Sequence, residues 1–127
     1  MSRSVSDLLE DLDEAIVAAA EIVRRGQERW DTDPILHLAG EAVVGRIGDV
    51  ASKLPSNLIE ETPNVPWNDV RGLRIIVDHV YHAVDYRILW KTLRDDVPKL
   101  ALAVGIWRAR HPEIFRARGR EGPSIGL

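Results

Sequence analysis

The chain of 127 residues predicts an all-α fold, an up-and-down bundle of four to five helices. Three observations predict it. Apolar residues recur at three- and four-residue spacing through long segments, which is the pattern of one buried helical face. No segment shows the polar–apolar alternation of a half-buried strand. Helix-start and helix-stop residues sit at the borders of the periodic segments.

The first helix starts near Ser4, where Ser4-Val5-Ser6-Asp7 has the form of a capping box. Its apolar face is Leu8, Leu9, Leu12, Ile16, Ala19, Ala20 and Val23. Asp33-Pro34 starts the second helix, with an N-cap acid followed by a proline at the first helical position. That helix carries Leu36, Leu38, Val43, Val44, Ile47, Val50, Ala51 and Leu54 and stops at Pro55. Gly40, Gly45 and Gly48 lower its intrinsic propensity, and close helix packing is the simplest reason for them. A connector follows from Pro55 to Pro66, with a short turn at Asn57–Glu61.

The third helix spans Trp67–Tyr81 with Val70, Leu73, Ile76, Val77 and Val80, and His82-Ala83-Val84 breaks it. Asp85 caps a fourth helix through Ile88, Leu89, Trp90, Leu93 and Val97. Pro98 cannot sit quietly in a helix interior, so a kink or new start is expected there. The last stretch carries Leu100, Leu102, Val104, Ile106 and Trp107. Residues 1–118 therefore read as one helical domain, and 119–127, with three glycines and a proline, as a flexible tail.

Composition narrows function. Hydrophobic residues at 45% and charged residues at 29% fit a soluble globular domain with a single core. No run of about 18 apolar residues is present to span a membrane. The N-terminus lacks the apolar stretch of a secretory signal, so a cytoplasmic protein is expected. Zero cysteines exclude disulfides, thiolate zinc sites and cysteine nucleophiles. A net charge of −3 argues against a protein that coats nucleic acid, while leaving room for a local RNA site. Arg108, Arg110, Arg116, Arg118 and Arg120 crowd the C-terminal end and read as a solvated tail. His37, His82 and His111 lack metal-ligand spacing. Asp95-Asp96 and Asp11-Asp13-Glu14 read as solvated helix faces. No phosphate-binding glycine loop occurs, so neither metal nor cofactor is expected. Trp30, Trp67, Trp90 and Trp107 read as core or dimer anchors.

The chemistry concentrates in Arg74-Ile75-Ile76-Val77-Asp78-His79-Val80-Tyr81. Arginine can hold a phosphate with two parallel hydrogen bonds and stabilise charge as a pentacoordinate state forms. Histidine is the natural proton-transfer group near neutrality. Together they suit metal-independent RNA cleavage, in which the ribose 2′-hydroxyl attacks the adjacent phosphate. The plainer reading is a surface Arg74 paired with Asp78 and a His79 packed at a helix end. Each helical residue advances about 100°, so Arg74, Asp78 and Tyr81 share a face, whereas His79 lies about 140° from Arg74. The pair converges only at a helix end or with a second subunit. Arg71, three residues earlier and nearly on the Arg74 face, is a candidate phosphate contact.

The flanking residues add a resemblance. Val65-Pro66-Trp67-Asn68-Asp69-Val70-Arg71-Gly72-Leu73-Arg74, then Val77-Asp78-His79-Val80-Tyr81, then Val84-Asp85, Ile88, Trp90, Asp96, Pro98 and Leu100 together resemble the HepT-like toxins of the HEPN superfamily. Ile47-Gly48-Asp49-Val50-Ala51-Ser52-Lys53-Leu54-Pro55 is similar to that family's I-G-E-A-A-x-x-L-P helix end. The resemblance covers roughly residues 7–107. It implies a HEPN-like, dimeric endoribonuclease toxin of a bacterial type VII-like toxin–antitoxin pair. Its implied catalytic pair is Arg74 and His79, acting on RNA across the dimer interface. Its implied partner is a minimal nucleotidyltransferase antitoxin that adds AMP to Tyr81, in a homodimer or a larger hetero-oligomer. Ile75 stands where the family commonly has a polar residue, and Asp78 where it has a small or apolar one. Asp78 is a candidate modulator, since pairing with Arg74 would lower the positive potential offered to RNA. A weakened module that binds its nucleotidyltransferase without cleaving RNA is the alternative these two residues raise.

Overall fold

The computed structural model describes residues 4–79 and 84–114, and residues 74–79 by their backbone alone. The expected tail at 119–127, the arginines from Arg116 onward, His82 and Tyr81 lie outside the described residues. Among the described residues there are seven α-helices, one π-helical turn and no strand. In order they are α1 Val5–Arg24, α2 Gln27–Thr32, α3 Pro34–Ala51, α4 Ser56–Glu61, α5 Trp67–His79, α6 Tyr86–Lys91, the π-turn Thr92–Asp96, and α7 Val97–Arg110. The fold is all-α, as expected. The count rises because two six-residue helices, α2 and α4, join the long ones.

Three helices, α1, α3 and α6, begin where local chemistry directs. Ser4 Oγ accepts from the Asp7 amide at 3.0 Å, Asp33 Oδ1 from the Ile35 amide at 2.9 Å, and Asp85 Oδ1 from the Arg87 amide at 2.9 Å. Each satisfies one of the first-turn amides that a helix cannot satisfy itself. The Asp85 carboxyl lies below the usual carboxylate range, chiefly because the Arg87 side chain hydrogen-bonds to it.

Leu9, Leu12, Ile47, Leu58, Leu93 and Val104 form the most enclosed part of the core, together with the rings of Trp30 and Trp107. All four tryptophans are buried within this single chain. α3 is the central helix; α5 packs along one side of it and α1 along another. Ion pairs lace the outside, the half-buried Arg108–Asp13 at 2.9 Å and the exposed Arg46–Glu14 at 3.5 Å; exposed pairs add little stability. Arg108 thus ties α7 to α1 instead of joining a solvated tail.

Several face assignments shift. Ala20 is exposed and Ile22 takes its place in the core. Leu38, Ile88, Leu102 and Ile106 face outward. The expected break at Pro98 is displaced one turn upstream. The Val97 amide bonds to the Thr92 carbonyl, an i→i−5 step, and Pro98 then occupies the first turn of α7. A proline lacks the amide and its ring crowds the carbonyl four residues back, so the widened turn sits where that carbonyl, at Arg94, must move aside. Of the three α3 glycines, Gly40 has a close neighbour, though a side chain and not a helix backbone. A Cβ there would come within 2.7 Å of Trp30 Cη2, so what needs the space is an indole ring.

Candidate active site

α5 carries the Arg74–His79 motif, and its start is tied down tightly. Trp67 is buried and its Nε1 donates to Thr62 Oγ1 at 2.9 Å and to the Thr62 carbonyl at 3.3 Å. The Thr62 hydroxyl in turn donates to the Leu58 carbonyl at 2.7 Å. This chain of bonds joins α4 to α5 and sets the direction in which α5 leaves the connector. One turn on, Arg71 Nε donates to the Ala51 carbonyl, the last residue of α3, at 3.4 Å. A cation there also answers the negative end of the α3 dipole. One of the five guanidinium N–H groups is therefore engaged within the fold. Beside Arg71 lies an open cleft of about 450 Å³, floored by Trp67 and rimmed by Asn68 and Asp69.

The backbone of residues 74–79 is α-helical. Positions 74 and 79 are therefore about 140° apart around the axis and about 7.5 Å apart along it. The side chains of Arg74, Asp78 and His79 lie outside the described residues, as does Tyr81. What the fold gives is the helix on which the pair is mounted and the helix that supports it.

That support is α3, running antiparallel. Arg71, near the start of α5, meets the C-terminal end of α3. Tyr86, the first residue of α6, meets the N-terminal half of α3 through His37 and Glu41. The Tyr86 hydroxyl donates to Glu41 Oε2 at 3.1 Å. Its ring stacks on His37, with centroids 4.0 Å apart and planes 11° from parallel. Its carbonyl accepts from Trp30 Nε1 at 2.9 Å. His37 Nε2 lies 2.6 Å from the Trp30 carbonyl, and because a carbonyl only accepts, that nitrogen carries the hydrogen. Trp90 closes the group at 5.6 Å from Trp30. Burial, and then the bond to Glu41, raises the Tyr86 hydroxyl above its ordinary pKa. Sequence reasoning passes over Glu41 and Tyr86. The available signal is Glu41 itself, an acid inside the apolar run from Leu36 to Ala51.

The remaining histidine among the described residues works elsewhere. His111 at the end of α7 stacks on Trp107 at 4.3 Å and bonds Glu61 Oε1 at 2.8 Å. No group of three or more His, Asp or Glu among the described residues is arranged to hold a metal ion. No helix among the described residues is long and apolar enough to cross a membrane.

The chain is an all-α domain with R-x4-H on α5, a helix packed along the central α3. Within it, residues 12–105 match the family described as ribonuclease HepT-like. The chain is 34% identical over 101 residues to "Probable ribonuclease HepT" of Thermococcus cleftensis, an alignment covering 79% of this chain and 92% of that protein. It is 42% identical over 60 residues to "Putative RNase MJ1380" of Methanocaldococcus jannaschii, covering 47% of this chain and 55% of the relative. With "Putative RNase TTE0752" of Caldanaerobacter subterraneus it shares 35% identity over 73 residues, 58% of this chain and 65% of the relative. No solved structure matches the chain. The chain belongs to the HepT-like ribonucleases of the HEPN superfamily.

Proposed function

We propose that the protein is a metal-independent endoribonuclease toxin that acts as a homodimer on RNA. Arg74 holds the scissile phosphate and stabilises the charge of the pentacoordinate state. His79 exchanges the protons of the 2′-hydroxyl and the leaving oxygen. The observation that carries the reading is the helical backbone of α5 from 74 to 79 in a chain of this family. An angle of about 140° between the two positions keeps one helix from closing on a phosphate, and two copies of the motif meeting across an interface would complete the site. Arg71, beside Arg74 and with most of its N–H groups unused by the Ala51 bond, would add a phosphate contact at the rim.

A minimal nucleotidyltransferase antitoxin is the proposed partner, with Tyr81 as the acceptor of AMP. The added phosphate would repel the RNA backbone, and the nucleotide would block the cleft. Asp78, one turn after Arg74 in sequence, is the proposed modulator and favours a second reading, a module that binds its partner with little cleavage.

Expression in cells tests both readings. The wild-type chain is expected to arrest growth and degrade RNA. Arg74→Ala or His79→Ala is expected to relieve the arrest, with cleavage by the purified protein lowered about 10²-fold or more. If both single variants stay fully toxic, Arg74 and His79 are not the site. A harmless wild type that binds the nucleotidyltransferase and leaves RNA intact establishes the second reading.

A further inference from the structure

We propose that Glu41 and Tyr86 are a positioning pair for the motif, fixing the end of α5 that carries His79 against α3. The inference rests on the assignment of Arg74 and His79 as the cleavage pair.

The register follows from the contact between the start of α5 and the end of α3. Arg71 sits beside Ala51, and α5 runs antiparallel to α3. At equal rise, position 79 comes level with about position 43 of α3. Glu41 is two residues further, about 3 Å along the axis. The only covalent route from His79 back to the helical frame runs through residues 80–85 to Tyr86. Tyr86 is gripped there at three points, by the Glu41 carboxylate on its hydroxyl, the His37 ring on its face and the Trp30 N–H on its carbonyl. Both ends of the motif segment are thus referred to one helix, with Arg71 on Ala51 at the start and Tyr86 on Glu41 at the exit.

The chemistry at the exit is hard to explain by stability alone. Glu41 is 8% exposed, and a buried carboxylate gives less stability than a well-packed apolar side chain of similar volume. A leucine facing a phenylalanine would hold α6 on α3 equally well, but nothing would fix the rotation of the ring. A charged acceptor gives that bond a direction. For two groups that must meet a phosphate within a fraction of an ångström, direction counts for more than stability.

The test uses the full chain and two readouts, RNA cleavage kinetics and the NMR resonances of the His79 imidazole, assigned by their absence in His79→Ala. Tyr86→Phe keeps the ring and its stack on His37 and removes only the hydroxyl. It is expected to shift the His79 resonances and lower kcat about ten- to a hundredfold, with KM within about twofold. Glu41→Gln, which keeps an acceptor for the hydroxyl, is expected to retain kcat within about threefold of wild type. Glu41→Leu breaks the bond from the other side; it strands the Tyr86 hydroxyl and so lowers stability. Its kcat is therefore read well below its thermal midpoint and should fall as in Tyr86→Phe. The pair is merely structural if Tyr86→Phe and Glu41→Leu keep wild-type kcat and His79 resonances, or if any loss of kcat tracks the unfolded fraction. Should the wild type cleave no RNA, the ribonuclease assignment falls, while the imidazole resonances still decide whether Glu41 and Tyr86 position His79.

Discussion

The two ends of the motif helix are held by opposite kinds of chemistry. At the start, hydrogen bonds between residues four or five apart do most of the holding, Thr62 to Leu58 and Trp67 to Thr62, with a longer bond from Arg71 to Ala51 beside them. At the exit, aromatic packing dominates, with the rings of Trp30, His37, Tyr86 and Trp90 packed around a glycine in α3 and a single buried carboxylate. Hydrogen bonds between neighbours in sequence give a helix its starting direction. Packing between elements far apart in sequence (Trp30 and Tyr86 are separated by 56 residues) locks where it finishes. The start should therefore tolerate change with a modest loss, and the exit should not.

Gly40→Ala tests the exit and should have the largest effect. In an exposed helix the substitution would stabilise by up to about 1 kcal/mol. Here the new Cβ would lie 2.7 Å from Trp30 Cη2 and 3.0 Å from Cζ3. The indole is 1% exposed and also touches Tyr86 and Trp90, so it has nowhere to retreat. Overpacking of this kind costs about 1–3 kcal/mol, which outweighs the gain in propensity. Denaturant unfolding is expected to show a net loss. A variant as stable as wild type would mean that the exit cluster repacks freely, and the contrast between the ends would vanish.

Trp67→Phe tests the start and should cost less. It removes an N–H bonded to Thr62 at two atoms and leaves a ring that still fills most of the site. The Thr62 hydroxyl keeps its own bond to Leu58, so no buried donor is stranded. About 1 kcal/mol for the lost bond plus a small cavity contribution is expected by the same unfolding measurement. A loss larger than that of Gly40→Ala would reverse the order of the two ends.

The same division explains what could be read from the sequence. Helix starts at Ser4, Asp33 and Asp85 were legible because a cap acts on amides two or three residues away. The short helix α2 was not. Six residues carry too few apolar positions for a period, and the contact that anchors α2, Trp30 to Tyr86, is 56 residues away in sequence. Periodicity located the helices but not which edge of each apolar stripe is covered; Leu38 and Leu102 lie in periodic positions and are 66% and 68% exposed. Among the proposed site residues, Arg74, His79 and Tyr81 stand out by residue type and spacing within eight residues. Glu41 did not, because the residue that gives it meaning, Tyr86, lies 45 positions away.

The smallest expected effect lies beside the start of α5 and is set by pH. His111 bonds Glu61 at 2.8 Å and has Glu113 at 3.4 Å from its other ring nitrogen. The bond to Glu61, opposed by burial and reinforced by Glu113, raises the His111 pKa above its ordinary 6.5. A raised histidine favours the folded state while it is protonated in both states. Its contribution is therefore complete below about pH 6.5 and declines as pH rises through the higher folded-state value. The ring is partly solvated, with the side chain 23% exposed, so the effect is small and screened by salt. Glu61→Gln should remove most of it. The difference in thermal midpoint between wild type and Glu61→Gln is expected to be positive at pH 5.5 and to shrink toward zero in alkaline buffer, more so at low ionic strength. A difference independent of pH would show that the contact acts by packing against Trp107 alone, and the charge on His111 would then contribute nothing to holding α4 on the end of α7.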